Sequence, residues 1–212
     1  MALQMTNLTK RFGTKTAVDH LSFSINEPGV YGLIGTNGAG KTTTIRMILG
    51  MLPIDEGEVT WDGKRWRGQA TTKNQKPGGT ATQQSARYGY MPEERGIYMK
   101  TKVLEQLVYY GRLRGLGKSD AAAAAHHWLQ KLGVAECENV LAEKLSKGNQ
   151  QKIQLISTLI HDPQLLFLDE PFSGLDPINT QVFHELIQEM AQNGKTIIMS
   201  SHQMSTVEEY CR

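Results

Sequence analysis

The stretch Gly35-Thr36-Asn37-Gly38-Ala39-Gly40-Lys41-Thr42 follows a short apolar run, Val30-Tyr31-Gly32-Leu33-Ile34, and opens a segment with Ile45, Ile48, Leu49 and Leu52 on one side. Glycine bounds the apolar run, which predicts a buried strand. The segment after it predicts a helix over about 41–51, stopped by Pro53. Between them stands the pattern G-x-x-x-x-G-K-[ST] of a phosphate-binding loop. Glycines let successive backbone N–H groups turn inward as an anion nest, and the helix start adds its positive dipole end. The Lys41 ammonium can reach a β- or γ-phosphate, and the Thr42 hydroxyl can hold magnesium. A chance glycine turn is the plain alternative. Strand, loop and helix in the required order leave it little room.

Working outward, Ala2 to Leu8 and Leu21 to Ile25 alternate as strands, and Pro28-Gly29 separates them from the buried run. On the other side, Val59-Thr60-Trp61 and Lys64-Arg65-Trp66 flank Asp62-Gly63, a two-residue hairpin signal. Residues 67–86, RGQATTKNQKPGGTATQQSA, have no apolar periodicity and predict a long loop or disordered insertion. Lys64, Arg65, Arg67, Lys73, Lys76 and Arg87 fall in a stretch without Asp or Glu. That is a solvated loop, or a contact for anionic headgroups or an acidic partner.

A helical middle follows. Val103, Leu104, Leu107, Val108 and Gly111 share a face of a helix that ends near Gly115. A second helix runs from Ser119, a predicted N-cap, through the alanine run, Trp128, Leu129 and Leu132 to Gly133. A third begins at Ser146-Lys147-Gly148-Asn149-Gln150-Gln151 and carries Ile153, Leu155, Ile156 and Leu159 as far as Asp162-Pro163. Then come a buried strand (Gln164 to Leu168), a helix (Ile178 to Gln192, closed by Gly194) and another buried strand (Thr196 to Ser200). Strands alternating with helices predict an α/β fold with a parallel sheet. The helical middle predicts a separate lobe.

Composition sets the outer limits. The chain has 212 residues, 23 basic against 21 acidic, for a net charge of +2, so no global field marks a nucleic-acid binder. Apolar residues are 39% and mean hydropathy is −0.39, which is ordinary globular composition. No apolar run approaches the ~20 residues a membrane span needs. The start, MALQMTNLTKR, has no apolar core of a secretory signal, which predicts a cytosolic protein. Cys137 and Cys211 make neither a disulfide framework nor a zinc site. Glycine is the outlier, at 21 of 212 residues against a usual ~7%.

Two further segments carry chemistry. Leu165-Leu166-Phe167-Leu168-Asp169-Glu170 is an apolar strand delivering two carboxylates at its C-terminal end, the edge where open α/β sheets bind ligands. Asp169 suits a magnesium contact, and Glu170 suits polarising an attacking water. Leu145-Ser146-Lys147-Gly148-Asn149-Gln150 opens a helix with Ser and Gly in its first turn, either an ordinary serine cap or a second anion site.

With these segments in order the chain resembles the nucleotide-binding subunit of an ATP-binding cassette (ABC) transporter, from residue 2 to 212. GTNGAGKT is similar to the family's Walker A motif, LLFLDE to Walker B, LSKGNQ to the signature, and SGLD (Ser173 to Asp176) to the D-loop. His202, after the strand TIIMS, resembles the switch histidine. Tyr90-Met91-Pro92-Glu93-Glu94-Arg95 aligns with the lid loop, with Glu93 where glutamine is usual. Lys147 and Asn149 replace the usual Gly and Gln of the signature.

The resemblance implies a P-loop NTPase core with a parallel sheet, an N-terminal antiparallel β subdomain and an inserted α-helical lobe. The chain is then a single domain, with core and β subdomain at about 1–93 and 160–212, the lobe at about 94–159 and the basic insertion at about 67–86. The implied cofactors are ATP and Mg2+. Phe12, Gly35, Thr36, Asn37, Gly38, Ala39, Gly40, Lys41, Thr42 and Thr43 would bind the nucleotide, with Phe12 stacked on adenine. Thr42, Glu93 and Asp169 would serve the metal, and Glu170 and His202 catalysis. Ser146, Lys147, Gly148, Asn149 and Asp176 would act in trans from a second copy. That makes a homodimer or heterodimer of ATPase subunits whose ATP-driven closure powers a separate transmembrane permease, cytoplasmic and peripheral on the inner face of the membrane, with no nucleic acid. PEERGIY with LSKGNQQK resembles the sodium-extrusion and ABC-2-type exporters. The alternatives are a non-transport ATPase acting on ribosomes or DNA, and an inactive regulatory subunit. The helix opened by Met204, Val207 and Glu208 stops at Arg212 without a terminal glycine, and in the family further strands follow, which implies a C-terminally truncated domain.

Overall fold

The computed structural model describes residues 2–66, 88–94 and 96–202. The insertion expected over 67–86 and the helix expected from Met204 lie outside these. The chain divides into two compact units, Met1–Gly79 with Ser200–Arg212, and Thr80–Met199. The lobe expected over 94–159 falls within the second. Among the described residues no helix is long and apolar enough to cross a membrane.

The first unit is built on an antiparallel sheet. Strands β1 (Leu3–Phe12), β2 (Lys15–Ile25), β4 (Glu56–Trp61) and β5 (Lys64–Arg65) lie in the order β2-β1-β4-β5. Leu3, Met5, Leu8, Ile25 and Val59 are buried on it. Both β1 and β2 run well beyond the predicted strands. Register shifts between Met5 and Leu8, Leu8 and Lys10, and Lys10 and Arg11 break the two-residue period. Alternation therefore fades at each bulge although pairing continues to Phe12 opposite Lys15. The Asp62-Gly63 turn forms as expected, with φ of 48° and 72° at its two residues, the double-positive geometry that suits hairpin twist. It brings Trp61 and Trp66 into a stack, with ring centroids 4.8 Å apart.

Strand β3 (Gly29–Ile34) and helix α1 (Lys41–Ile48) flank the glycine loop as predicted. Two details differ. The run Val30–Leu33 is half-buried and Ile34 is 47% exposed, so this is not a fully buried strand. An apolar run reports strand preference, whereas burial depends on what packs against it. Helix α1 also stops before Pro53. Gly50 takes φ of 71°, and Met51 N–H donates to the Arg46 carbonyl at 2.8 Å, so a glycine cap ends the helix first.

The second unit holds β6 (Tyr88–Met91), β7 (Leu165–Asp169) and β8 (Thr196–Ser201), whose last two residues belong to the first unit. They lie in the order β8-β7-β6, with β6 parallel to β7 and Tyr88 opposite Leu165. Every residue of β7 is buried, as an apolar run bounded by turns predicts. Strand β6 was not expected; YGYM is short and runs straight into the lid segment.

Helices α2 (Val103–Leu113), α3 (Lys118–Lys131), α4 (Lys147–Leu159) and α5 (Pro177–Gln192) complete this unit. The cap of α3 is Gly117, not Ser119, which falls inside the helix. Helix α2 buries Val103, Gln106, Leu107 and Gly111, while Leu104 and Val108 are only half-buried. A glutamine inside that face was not anticipated. Its amide accepts from Tyr98 N–H at 3.1 Å and donates to the Tyr98 and Thr101 carbonyls at 3.4 and 3.3 Å, satisfying a loop that has no ladder of its own.

Candidate functional site

The phosphate loop is assembled by conformation. Gly38 and Gly40 adopt φ of 83° and 90°, the left-handed region that other residues enter at a cost. At Gly40 space closes as well, because a Cβ there would sit 2.3 Å from the Ala17 carbonyl oxygen. Glycine is thus required twice over, and the contact seats the loop against β2. Gly35 N–H donates to the Ser201 carbonyl at 3.3 Å, anchoring the start of the loop to the end of β8. The Lys41 ammonium lies back across the loop and donates to the Gly35 and Thr36 carbonyls at 2.7 and 3.2 Å. Thr36, Asn37, Gly38 and Ala39 are exposed, Thr42 and Thr43 half-buried at the helix start, and His202 is exposed one residue beyond β8. Thr44, buried, turns its hydroxyl back to the Gly40 carbonyl at 2.9 Å and so braces the first turn.

Phe12 ends β1 at the tip of the β1–β2 hairpin and is 50% exposed, so it is not a core phenylalanine. The Lys10 ammonium lies 5.6 Å from its ring centroid while binding Asp55 at 2.8 Å. That ion pair, with Arg11 N–H at 2.7 Å, holds the Asp55 carboxyl below its ordinary range.

The second unit carries the carboxylates. Asp169 closes β7 and is 1% exposed, and Glu170 is 8% exposed. Glu170 adopts φ of 49°, uncommon for a residue with a side chain and typical of functional positions where surrounding structure holds the strain. Glu93 is exposed, on the segment that leaves β6.

Three polar side chains of α4 and its continuation, spaced four and three residues apart, reach this strand and segment. His161 Nε2 meets the Tyr88 carbonyl at 3.0 Å, Thr158 Oγ1 the Tyr90 carbonyl at 3.3 Å, and Gln154 Nε2 the Pro92 and Glu94 carbonyls at 2.7 and 3.1 Å. A carbonyl only accepts, so His161 carries its proton on Nε2. Burial pushes its pKa down to about 4, against the raising effect of that hydrogen bond.

At the N-terminus of α4, Ser146 caps the helix by accepting Asn149 N–H at 3.2 Å. Ser146 and Lys147 are exposed, Asn149 half-buried and Gly148 buried. The structure brings this turn to Asp176. Asp176 caps α5 by accepting Asn179 N–H at 2.9 Å and the Asn179 amide at 2.6 Å, which hold its carboxyl below the usual range. A Cβ on Gly148 would lie 2.4 Å from Asn179 Nδ2 and 3.6 Å from Asp176 Oδ2. Two helix starts separated in sequence therefore meet, and Asn179, unmarked in the sequence reading, sits between them. The only signal for Gln154, Thr158 and His161 was polar residues at helical spacing among Ile153, Leu155, Ile156 and Leu159.

The sequence matches the ABC transporter family over residues 18–173. It is 46% identical to the uncharacterized ABC transporter ATP-binding protein YhaQ of Bacillus subtilis over 99% of this chain and 65% of that one. It is 34% identical to the linearmycin resistance ATP-binding protein LnrL of the same organism, over 99% of this chain and 64% of that one. The chain thus spans about two thirds of the length of these relatives. A solved ATP-binding subunit of an ABC transporter superposes on all of this chain and 83% of its own, with a TM-score of 0.82 and 25% identity.

Proposed function

This chain belongs to the ABC transporter family, and on that footing we propose that it is the ATP-hydrolysing subunit of an exporter, working as a dimer on a separate permease at the inner face of the cell membrane. The observation that carries the reading is the phosphate loop, whose two left-handed glycines, Gly38 and Gly40, shape the backbone directly ahead of the N-terminus of α1.

Each residue then has a task. The Lys41 ammonium, which bridges the Gly35 and Thr36 carbonyls, exchanges them for phosphate oxygens. Phe12 offers its exposed ring to adenine, a base–aromatic contact worth ~1–3 kcal/mol. Magnesium, when bound, neutralises charge between the β- and γ-phosphates. Thr42, Asp169 and Glu93 are the residues to hold it, an all-oxygen set that suits a hard cation. Glu170 orients the attacking water and takes its proton, and His202 contacts the γ-phosphate. Ser146, Lys147, Gly148, Asn149 and Asp176 serve the nucleotide of the second copy. Support for export comes from the resistance role named for the relative LnrL and from PEERGIY with LSKGNQQK.

The test is affinity purification from native membranes after crosslinking, with mass spectrometry of the partners. The expected partner is an integral membrane polypeptide. Recovery of ribosomal proteins or nucleic acid alone would refute the transporter reading.

A further inference from the structure

One side chain grips the backbone on both sides of Glu93. Gln154 Nε2 donates to Pro92 and Glu94 at 2.7 and 3.1 Å. Both partners are carbonyls, so only the amide nitrogen can face them, and both its protons are used. Gln154 is 3% exposed, whereas Glu93 between the two carbonyls is exposed. The donor is therefore built into the core and the carboxylate it flanks is presented outward. Thr158 and His161 continue the grip onto Tyr90 and Tyr88. The Tyr110 hydroxyl of α2 donates to the Gly96 carbonyl at 2.8 Å. Among its described residues the segment leaving β6 has no strand pairing, yet it is held at alternate carbonyls, Pro92, Glu94 and Gly96, by helices α4 and α2.

We propose that Gln154 is a positioning residue for Glu93, so that the signature helix and the lid carboxylate act as one body during hydrolysis. This rests on the assignment of Glu93 to the metal. A carboxylate ligand needs a fixed approach, and losing a partner that orients a metal ligand costs about 10–100-fold in metal affinity. Two amide protons on the flanking carbonyls fix the path of the backbone from which Glu93 projects. Gln154→Met keeps the length of the side chain and removes the donor.

The experiment is a double-mutant cycle on the full chain, reading the Mg2+ concentration for half-maximal ATP hydrolysis. Gln154→Met should raise it about tenfold, with nucleotide binding in EDTA unchanged. In a Glu93→Ala background the same substitution should raise it no further, because the group it positions is gone. Equal shifts in both backgrounds, or none in either, would overturn the proposal. If Glu93→Ala alone leaves the Mg2+ dependence at the wild-type value, the metal assignment falls and this inference with it, while wild-type hydrolysis still stands for the family reading. A control independent of any variant is digestion of the unsubstituted protein with a Glu-specific protease. Resistance at Glu93 and Glu94 is expected despite their exposure, and cleavage at the rate of an unfolded peptide would overturn the pinning.

Discussion

Two side chains set separate tests at the scale of single residues. Lys41→Ala should abolish ATP hydrolysis, because the ammonium now shared by the Gly35 and Thr36 carbonyls is the group that would reach phosphate; steady-state turnover of the purified variant checks it. His161 makes a pH prediction. Its pKa falls from 6.5 to about 4 on folding, chiefly through burial. The unfolded chain therefore binds the proton more readily, and stability is complete above about pH 6.5 and lost as pH falls through about 4. The loss should be on the order of 3 kcal/mol. Melting against pH should slope between those limits in the wild type and flatten in His161→Gln. The Asp55 carboxyl is also held low, by Lys10 and Arg11, but its contribution disappears only below the ordinary carboxylate range. The two groups act in different windows. What the sequence could say of such residues differs. Lys41 and Asp169 sit in fixed patterns, whereas His161 and Gln154 take their roles from carbonyls some sixty to seventy residues away, a relation no local pattern contains.

At the scale of elements, legibility followed periodicity. Strand β7, helix α5 and the Asp62-Gly63 hairpin were readable because their patterns are unbroken. Strands β1 and β2 were half readable because bulges reset the alternation, and β6 was missed because four residues show no period. The meeting of α4 and α5 at Gly148 and Asn179 was outside sequence reach, although both ends of it, Gly148 and Asp176, were singled out. It gives an element-scale prediction. Gly148→Ala should push Asn179 aside and weaken the Asp176 cap, costing about 0.5–2 kcal/mol. The variant should still bind ATP as a monomer but lose ATP-dependent dimerisation, as read by equilibrium nucleotide binding and by sedimentation. Gly40→Ala should behave in the opposite sense. Its Cβ would meet the Ala17 carbonyl at 2.3 Å in a left-handed backbone, so nucleotide binding itself should fail, with a stability loss above about 1 kcal/mol.

For the whole molecule, we take the proposed dimer to be closed by ATP and released by hydrolysis. Glu170→Gln keeps the shape and removes the base, so turnover should fall by about 10²-fold or more while binding persists. With ATP present this variant should elute as a dimer in size-exclusion chromatography; a monomer alone would refute closure between two copies. Its progress can be followed without labels, because tryptophan is scarce at three residues and unevenly placed. Trp61 and Trp66 stack face to face, 19° from parallel, which couples their electronic transitions and should give a split circular-dichroism band. That band belongs to the hairpin of the first unit. Trp128, beside His127 and under the Lys131 ammonium, stands alone in the second unit and should dominate uncoupled emission. Each unit thus carries its own optical signature, one dichroic and one fluorescent, so that melting or ligand titration can be followed in both halves of the chain at once.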